Sequence, residues 1–145
     1  MAERIAFYED EYYMLSNFSS HAVEYNGVLY MTMEHAYQSA KFDDIEICEK
    51  IKNAKSSFRA KVIAKEHEKE FQRDNWEEIR VSVMEKLMRQ KILQHEDVRE
   101  ALLKTGEAVI VENSPVDYFW GCGSDGTGQN QVGKAWMRIR EELKS

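Results

Sequence analysis

The chain has 145 residues, a mass of 17.0 kDa and a formal net charge of −6, with a pI near 5.3. This length suits one domain with a buried core, and neither an internal repeat nor a Pro/Ser-rich linker divides it, so we predict a single domain over residues 1–145. The acidic balance argues against a general nucleic-acid binder that is held by phosphate contacts. No apolar run approaches the ~18 residues that a membrane span requires.

One segment opposes this acidic balance. From Lys50 to Lys65 the chain carries six Lys or Arg residues and no acid. Such a run is most often a solvated helix face, and the alternative is a surface that steers an anionic substrate.

The chain has two cysteines, Cys48 and Cys122, and its Met-Ala-Glu-Arg start lacks an apolar signal segment. We therefore predict a reducing, cytoplasmic setting without disulfides. The four histidines are scattered and no Cys-x-x-Cys occurs, so we expect no metal and no other cofactor.

Strand signals come first along the chain. Residues 4–8 alternate weakly, as an edge strand does, and residues 22–31 have the pattern of a hairpin. The hairpin is predicted to turn at Asn26-Gly27, because this dipeptide supplies the two positive φ angles of a type I′ turn. A further short strand is predicted at 107–111.

Helix signals dominate the remainder. The first helix is predicted to begin after Thr32, with an apolar stripe formed by Met33, Ala36, Tyr37 and Ala40. Other helices are predicted at 45–53, 57–66, 76–93 and 132–143, with one more ending near Gly106. Capping boxes are predicted from Asp74 with Glu77 and from Asp97 with Glu100. The predicted class is therefore α+β, a mainly helical domain with a small antiparallel sheet.

A glycine-rich loop lies between the last predicted strand and the last helix. Residues 117–133 contain five of the seven glycines in the chain. Glycines at this density indicate positive φ angles or a close approach of another group to the backbone. One interpretation is a phosphate site, formed by bare backbone N–H groups and the start of the following helix. The other is a long irregular surface loop.

The first helix carries a second chemical pattern. Glu34, Gln38 and Lys41 are spaced i, i+4 and i+7, so they share one face beside the apolar stripe. One interpretation is a solvent face with ordinary helix pairing. The other is a carboxylate for proton transfer beside an amine that serves as a cation, a base or, if desolvated, a nucleophile toward a carbonyl. His35 lies off this face, and we assign it a structural role.

Five blocks of sequence follow one another along nearly the whole chain. They are Leu15-Ser-Asn-Phe18; Tyr30-x-Thr-x-Glu34-His-Ala-Tyr-Gln-x-Ala-Lys41; Trp76 with Arg80-Val-x-Val-Met84; Leu102-Leu-x-Thr-Gly106; and Glu112-x-Ser-Pro-x-Asp117-x-x-Trp120-Gly-x-Gly with Gly128-x-Asn130-x-x-Gly133-Lys. In this order and spacing they resemble the NADAR family, whose YbiA-like members are N-glycosidases.

The resemblance implies an α+β domain that cleaves the C1–N bond of a ribose. Substrates described for the family are ADP-ribose attached to guanine bases and the ribosylamino intermediates of riboflavin synthesis. We therefore expect an ADP-ribose-type or phosphoribosyl substrate, with ADP-ribosylated nucleic acid among the candidates, and no membrane partner. A module that binds ADP-ribose or NAD without turnover, as a sensor or adaptor, is the alternative. The presence of Glu34, Lys41 and Asp117 together argues against it.

The resemblance also implies roles for individual residues. Glu34, Lys41 and Asp117 are the implied catalytic residues. In one route a carboxylate helps to open the ribose, and Lys41 captures C1 as a Schiff base before water releases the sugar. In the other route water attacks directly, with Glu34 or Asp117 as the base. The implied substrate-binding residues are Ser16, Asn17, Phe18, Gln38, Trp76, Trp120, Gly121, Gly123, Gly128 and Asn130.

Overall fold

The computed structural model describes residues 3–7 and 10–145. In chain order its elements are β1 (Arg4–Ala6), a 3₁₀ helix (Asp10–Leu15), β2 (Val23–Tyr25), β3 (Val28–Tyr30), α1 (Met33–Ala40), α2 (Ile45–Lys52), α3 (Ser57–Phe71), α4 (Trp76–Gln94), α5 (Glu96–Lys104), β4 (Val109–Val111) and α6 (Gln131–Lys144). Helices predominate over short strand pairs, which confirms the α+β class. None of the described helices combines the length and apolar character that a bilayer crossing needs.

The chain forms two compact units. We call Asn17–Gln94 the central unit, and residues up to Ser16 together with His95–Ser145 the terminal unit. In the central unit, α1 packs against α2, α3 and α4. As a result every residue from Met33 to Ser39 is buried, and α1 has no solvent-facing side over this stretch. The seam of α2 with α3 is apolar and contains Phe42, Ile47, Ile51, Ala54, Ala60 and Ala64.

The hairpin of the central unit follows its prediction. β2 and β3 pair antiparallel, with Val23 opposite Tyr30. Asn26 and Gly27 connect them with φ angles of 51° and 79°. Two consecutive positive φ angles match the right-handed twist of the flanking strands, which is why Asn-Gly is favoured there.

The terminal unit contains a strand pair whose direction the sequence pattern did not indicate. β1 pairs with β4 in parallel, with Ile5 opposite Ile110. The predicted small antiparallel sheet therefore describes the hairpin only. Position 8 of the predicted first strand lies outside the described residues. Because β1 and β4 are distant in sequence, no turn motif between them encodes the direction of their pairing.

α6 packs against β4 through its buried residues. Trp136 is fully buried, and its Nε1 donates to the carbonyl oxygen of Leu15 at 3.0 Å. Arg140 is also buried, and its Nη1 donates to Thr105 Oγ1 and to the Ala108 carbonyl, both at 2.8 Å. These two bonds satisfy Nη1 of the buried guanidinium, whereas its Nε has no hydrogen-bond partner among the described residues.

Two predicted helix caps are wrong by one or two residues. The carbonyl of Asn75 accepts the first N–H groups of α4, so Asn75 rather than Asp74 precedes that helix. α5 begins at Glu96 after His95, and the Asp97 carboxylate accepts the next backbone N–H within the first turn. Acidic side chains favour a helix start from either position, so the pattern locates the start but does not identify the cap residue.

Candidate active site

Glu34 lies in the first turn of α1, a helix that the side chain of Thr32 caps. Its backbone N–H donates to the carbonyl oxygen of Asn17 at 3.0 Å, and its side chain is buried, with the residue 5% exposed. The interpretation of this face as a solvated one is therefore wrong for Glu34 and Gln38, because α1 is enclosed by three helices. An ionisable acid at such a position must be compensated by hydrogen bonds.

Two side-chain amides provide this compensation. Asn17 Nδ2 donates to Glu34 Oε1 at 3.3 Å, and Gln38 Nε2 donates to Glu34 Oε2 at 2.8 Å. Gln38 reaches the carboxylate because residues four apart lie on the same helix face. Each carboxylate oxygen thus receives one N–H, which fixes the orientation of the group.

The same two amides present acceptors at this site. Asn17 Oδ1 and Gln38 Oε1 are buried, and neither has a hydrogen-bond partner among the described residues. Folded proteins leave few buried acceptors unsatisfied, so such atoms call for an explanation. Amide oxygens accept hydrogen bonds from hydroxyl groups, and a ribose carries several. The cluster therefore offers two acceptors for hydroxyl groups beside a fixed carboxylate.

Lys41 directly follows α1, and its side chain is 14% exposed. Its Nζ lies 3.9 Å from Glu68 Oε2 and 5.6 Å from the ring centroid of Tyr37. Burial lowers the pKa of Lys41, while the carboxylates of Glu68 and Glu34 oppose this effect. A lowered pKa increases the neutral fraction of the amine, which is the nucleophilic form. Lys41 lies in the central unit with Glu34 and Gln38, and the Glu34 carboxylate acts on its amine through charge.

The aromatic candidates of the central unit differ in exposure. Trp76 is 3% exposed and packs against Tyr37, with ring centroids 5.3 Å apart. This burial favours core packing for Trp76 over stacking on a base. Phe18 is half-buried, and its carbonyl oxygen accepts from Ser57 Oγ at 3.3 Å. Ser16 belongs to the terminal unit and is buried there.

His35 has the structural role that its position on α1 predicts. The ring is fully buried, with Nδ1 2.8 Å from Thr32 Oγ1 and Nε2 3.0 Å from the carbonyl oxygen of Ala54. Both ring nitrogens are therefore engaged in fastening the start of α1 to the end of α2. This use of both nitrogens leaves His35 outside the proton chemistry of the site.

The glycine-rich loop belongs to the terminal unit and is closed by its own backbone hydrogen bonds. The N–H groups of Gln131 and Val132, at the start of α6, donate to the carbonyls of Phe119 and Trp120 at 3.0 and 3.1 Å. Earlier in the loop, further N–H groups donate to loop carbonyls, namely those of Gly126, Gly128, Gln129 and Asn130. The hypothesis of bare N–H groups for a phosphate is therefore wrong for these residues.

Close packing within the terminal unit explains several of the loop glycines. A Cβ at Gly123 would overlap the ring of Tyr118, and the residue has a φ of 71°. A Cβ at Gly128 would lie 2.5 Å from the Gly121 carbonyl oxygen, which accepts the N–H of Asn130. The groups that approach these glycines belong to the protein itself, so they account for the glycines without a ligand.

Asn130 and Trp120 also have structural contacts. Asn130 Oδ1 accepts from the N–H of Glu112, and Nδ2 donates to the carbonyl of Ile110, both at 2.9 Å. These bonds fasten the loop to the end of β4. Trp120 is half-buried, with its ring edge-on to Phe119 at 4.8 Å between centroids. Their roles in substrate binding stay predictions.

A family model for the NADAR domain matches residues 6–144 of the chain. The chain belongs to the NADAR family. It is 38% identical over 137 residues to an N-glycosidase of Nostoc punctiforme, covering 92% of this chain and 87% of that protein. It is 36% identical over 134 residues to the N-glycosidase YbiA of Escherichia coli, covering 92% of this chain and 83% of that protein.

The fold of this NADAR chain is similar to that of a solved relative. The NMR structure of Escherichia coli YbiA matches it with a TM-score of 0.89 at 35% identity, over 99% of this chain and 86% of that chain. A riboflavin biosynthesis protein of Vibrio vulnificus is 38% identical over 146 residues, and the match spans 99% of this chain but 40% of that protein. The NADAR chain is accordingly a hydrolase of the N-glycosidase type.

The structure adds Glu68 to the candidate site of the NADAR chain. This residue lies on α3, so its proximity to Lys41 arises only when α3 packs against α1. Lys61 and Arg80 also act on Lys41 through their charges and lower its pKa. No local motif marks these residues, because charged side chains on helices are common and mostly solvated.

Asp117 braces the start of the glycine-rich loop. Its Oδ1 accepts the backbone N–H groups of Phe119 at 2.9 Å and Trp120 at 2.7 Å. Aspartate forms such turns with the residues that follow it, independently of any catalysis. The catalytic role of Asp117 stays a prediction, and these bonds favour a bracing role.

Substitutions at Asp117 separate the two roles. We expect Asp117→Asn to retain folding and turnover, because asparagine keeps the Oδ1 acceptor. Asp117→Ala removes the acceptor from two N–H groups and is expected to lower the free energy of unfolding by about 1–2 kcal/mol. Thermal unfolding and turnover of both variants provide the measurement. An Asn variant with normal stability and a large loss of turnover would instead assign a catalytic role to the charge.

Proposed function

We propose that this NADAR chain hydrolyses the bond between ribose C1 and a base nitrogen in a phosphorylated riboside, with ADP-ribose on guanine as the favoured substrate. The observation that carries the proposal is the cluster around Glu34. A buried carboxylate is held by two amides whose oxygens are unpartnered, and its charge acts on an amine whose pKa is lowered by burial. The reaction requires acceptors for the sugar hydroxyls, a proton carrier and a nucleophile.

Glu34 is proposed as the proton carrier. Departure of a nucleobase leaves electron density on nitrogen, which needs a proton, while C1 becomes electron-poor. A carboxylate that is fixed at both oxygens points in one direction and does not need to reorganise during proton transfer. In this proposal the unpartnered oxygens of Asn17 and Gln38 accept hydrogen bonds from ribose hydroxyls.

Lys41 is proposed as the nucleophile. The bond between C1 and the ring oxygen breaks first, the oxygen takes a proton, and C1 becomes doubly bonded to the base nitrogen. The neutral amine of Lys41 adds to C1, and the base nitrogen takes a proton and leaves, so an imine joins Lys41 to C1. Water then adds to C1 and releases both the amine and the free sugar. The net reaction consumes one water and breaks one C1–N bond.

The pH profile provides a test of the amine. The Glu68 carboxylate raises the pKa of Lys41, so Glu68→Gln is expected to lower that pKa further. Because the neutral amine reacts, turnover rises with pH as Lys41 loses its proton, and the rising limb should move to lower pH in Glu68→Gln. Glu70→Gln, at an exposed position of the same helix, is the matched control. An unshifted limb in Glu68→Gln would contradict a nucleophilic Lys41.

A ribosylamino intermediate of riboflavin synthesis is the second candidate substrate. It is favoured by relatives whose names are riboflavin biosynthesis proteins, from Vibrio vulnificus and from Zea mays. Both of these are longer proteins, of which the match covers 40% and 25%. The two candidates share a C1–N bond and an anionic sugar, so the same side chains would serve either reaction.

A side-by-side turnover assay tests the proposal. Purified protein is incubated with ADP-ribosylated guanine and with the ribosylamino intermediates, and release of the free base or amine is followed by chromatography. We expect release from the ADP-ribosylated guanine. Release only from the intermediates would move the assignment to the second candidate. An unchanged substrate in every assay, together with measurable ADP-ribose binding, would instead indicate a sensor or adaptor.

A further inference from the structure

The basic segment after Lys50 forms an exposed cleft in the central unit. Lys50, Lys55 and Arg59 line an open cleft of about 740 Å³ along α2 and α3, and all three are exposed. Glu66 and His67 complete part of its wall. A local excess of cations in a chain with a net charge of −6 concentrates positive potential at one place. The candidate active site described above does not use this cleft.

A second cleft adjoins the first. It measures about 340 Å³ and includes Lys55, which lines both clefts. Its other walls include Phe18, Met31 and Phe58, of which Met31 is 51% exposed and Phe58 67% exposed. Phe58 and Lys55 line this cleft together, so an exposed aromatic ring and a cation share one wall. Exposed large apolar side chains grouped in this way commonly mark a binding surface.

We propose that the two clefts together bind a single strand of nucleic acid, the one that carries the modified base. Lys50, Lys55 and Arg59 contact its phosphates, and a base stacks on Phe58. Proteins that bind single strands combine a cationic groove for the backbone with aromatic faces for the bases. This inference rests on the proposed function, and it adds to that function a surface outside the candidate active site that contacts the strand beside the modified base.

The position of Phe18 connects this surface with the candidate active site. Phe18 lines the second cleft and directly follows Asn17, whose amide holds the Glu34 carboxylate. Thr32, the cap of α1, lines the same cleft. A strand in the clefts therefore passes the end of α1 that carries Glu34. Three cations that line one cleft and a ring in the adjoining cleft match the successive phosphates and bases of a strand, whereas a free nucleotide has a single phosphate or diphosphate group.

The test measures binding and turnover separately. Binding of a fluorescent, unmodified single-stranded oligodeoxynucleotide is followed by anisotropy over a range of salt concentrations. Lys50→Gln/Lys55→Gln is expected to raise Kd about tenfold and to reduce the salt slope by about 1.4, since each lost phosphate contact on a single strand removes about 0.7. Phe58→Ala is expected to raise Kd about fivefold or more with an unchanged slope. The charge-matched control is Lys69→Gln/Lys86→Gln, at exposed positions outside both clefts.

Turnover is then compared on ADP-ribosylated guanine within the oligonucleotide and on the corresponding single nucleoside. We expect the double variant to raise KM for the oligonucleotide about tenfold and to leave nucleoside kinetics unchanged. Equal Kd values for the double variant and its control would overturn the inference. It would also be overturned if the protein bound a duplex and a single strand equally well and Phe58→Ala changed neither Kd. Cleft-dependent binding without turnover of either substrate would support it and reject the proposed function. Turnover of both substrates that the cleft variants leave unchanged would support the proposed function and overturn the inference.

Discussion

Lys41→Arg is expected to reduce turnover by about a thousandfold or more, the scale on which removal of a nucleophile acts. Arginine retains the positive charge of this site but cannot form an imine with C1, because its guanidinium stays protonated. Riboside binding should remain largely intact, since the charge beside Glu68 is preserved. Steady-state kinetics and ligand titration of the variant measure the two effects. Lys65→Arg, at an exposed position of α3, is the matched control.

Reduction during turnover gives a second readout for Lys41. Borohydride added to the working enzyme should reduce the imine, increase the intact mass by the sugar adduct, and place the modification at Lys41 on peptide mapping. The Lys41→Arg variant should show no adduct under the same conditions. An active Arg variant together with an absent adduct would leave Lys41 as an electrostatic contact and direct attack by water as the remaining route.

Glu34→Gln is expected to reduce turnover by about a hundredfold or more, because it removes the proposed proton carrier. Its stability should change by less than about 1 kcal/mol. The glutamine that replaces Glu34 brings an N–H donor to a carboxylate position that already receives N–H donors from Asn17 and Gln38. Gln38 can rotate its amide to present Oε1 instead, and this oxygen has no hydrogen-bond partner to lose. Thermal unfolding and single-turnover rates measure the two effects independently.

Glu46→Gln provides the matched control for Glu34→Gln. Glu46 also lies in the first turn of its helix, α2, but it is exposed. We expect this control to retain both turnover and stability. Near-normal turnover of Glu34→Gln would remove the proposed catalytic role, and a large loss of stability with proportionate loss of turnover would assign Glu34 to the fold alone.

The sequence predicted the local elements well, because their signals lie in short windows. Asn26-Gly27 indicated the hairpin turn, and the apolar spacing located α1. The position of Thr32 gave the start of α1, since its hydroxyl can accept a backbone N–H within the first turn. Such short signals did not predict the direction in which strands pair. β1 and β4 pair in parallel, and no motif between them specifies this direction.

The glycine-rich loop shows how one composition fits two physical causes. Glycines are needed wherever another group approaches the backbone, whether that group is a ligand or the protein itself. At Gly123 the approaching group is the ring of Tyr118, and at Gly133 it is the carbonyl of Ile110. The sequence therefore indicated that close approaches occur in the loop, while the folded chain decided which groups make them.

By itself the sequence determined the family, through the order of its blocks, and the alignment of Glu34, Gln38 and Lys41 on one helix face. Only the tertiary structure decided that this face is buried, because exposure depends on α2, α3 and α4 packing around α1. That enclosure lowers the pKa of Lys41, and it brings Glu68 from a separate helix to within 3.9 Å of the amine. Helical periodicity fixes which residues share a side, whereas desolvation and long-range charge contacts arise only from packing.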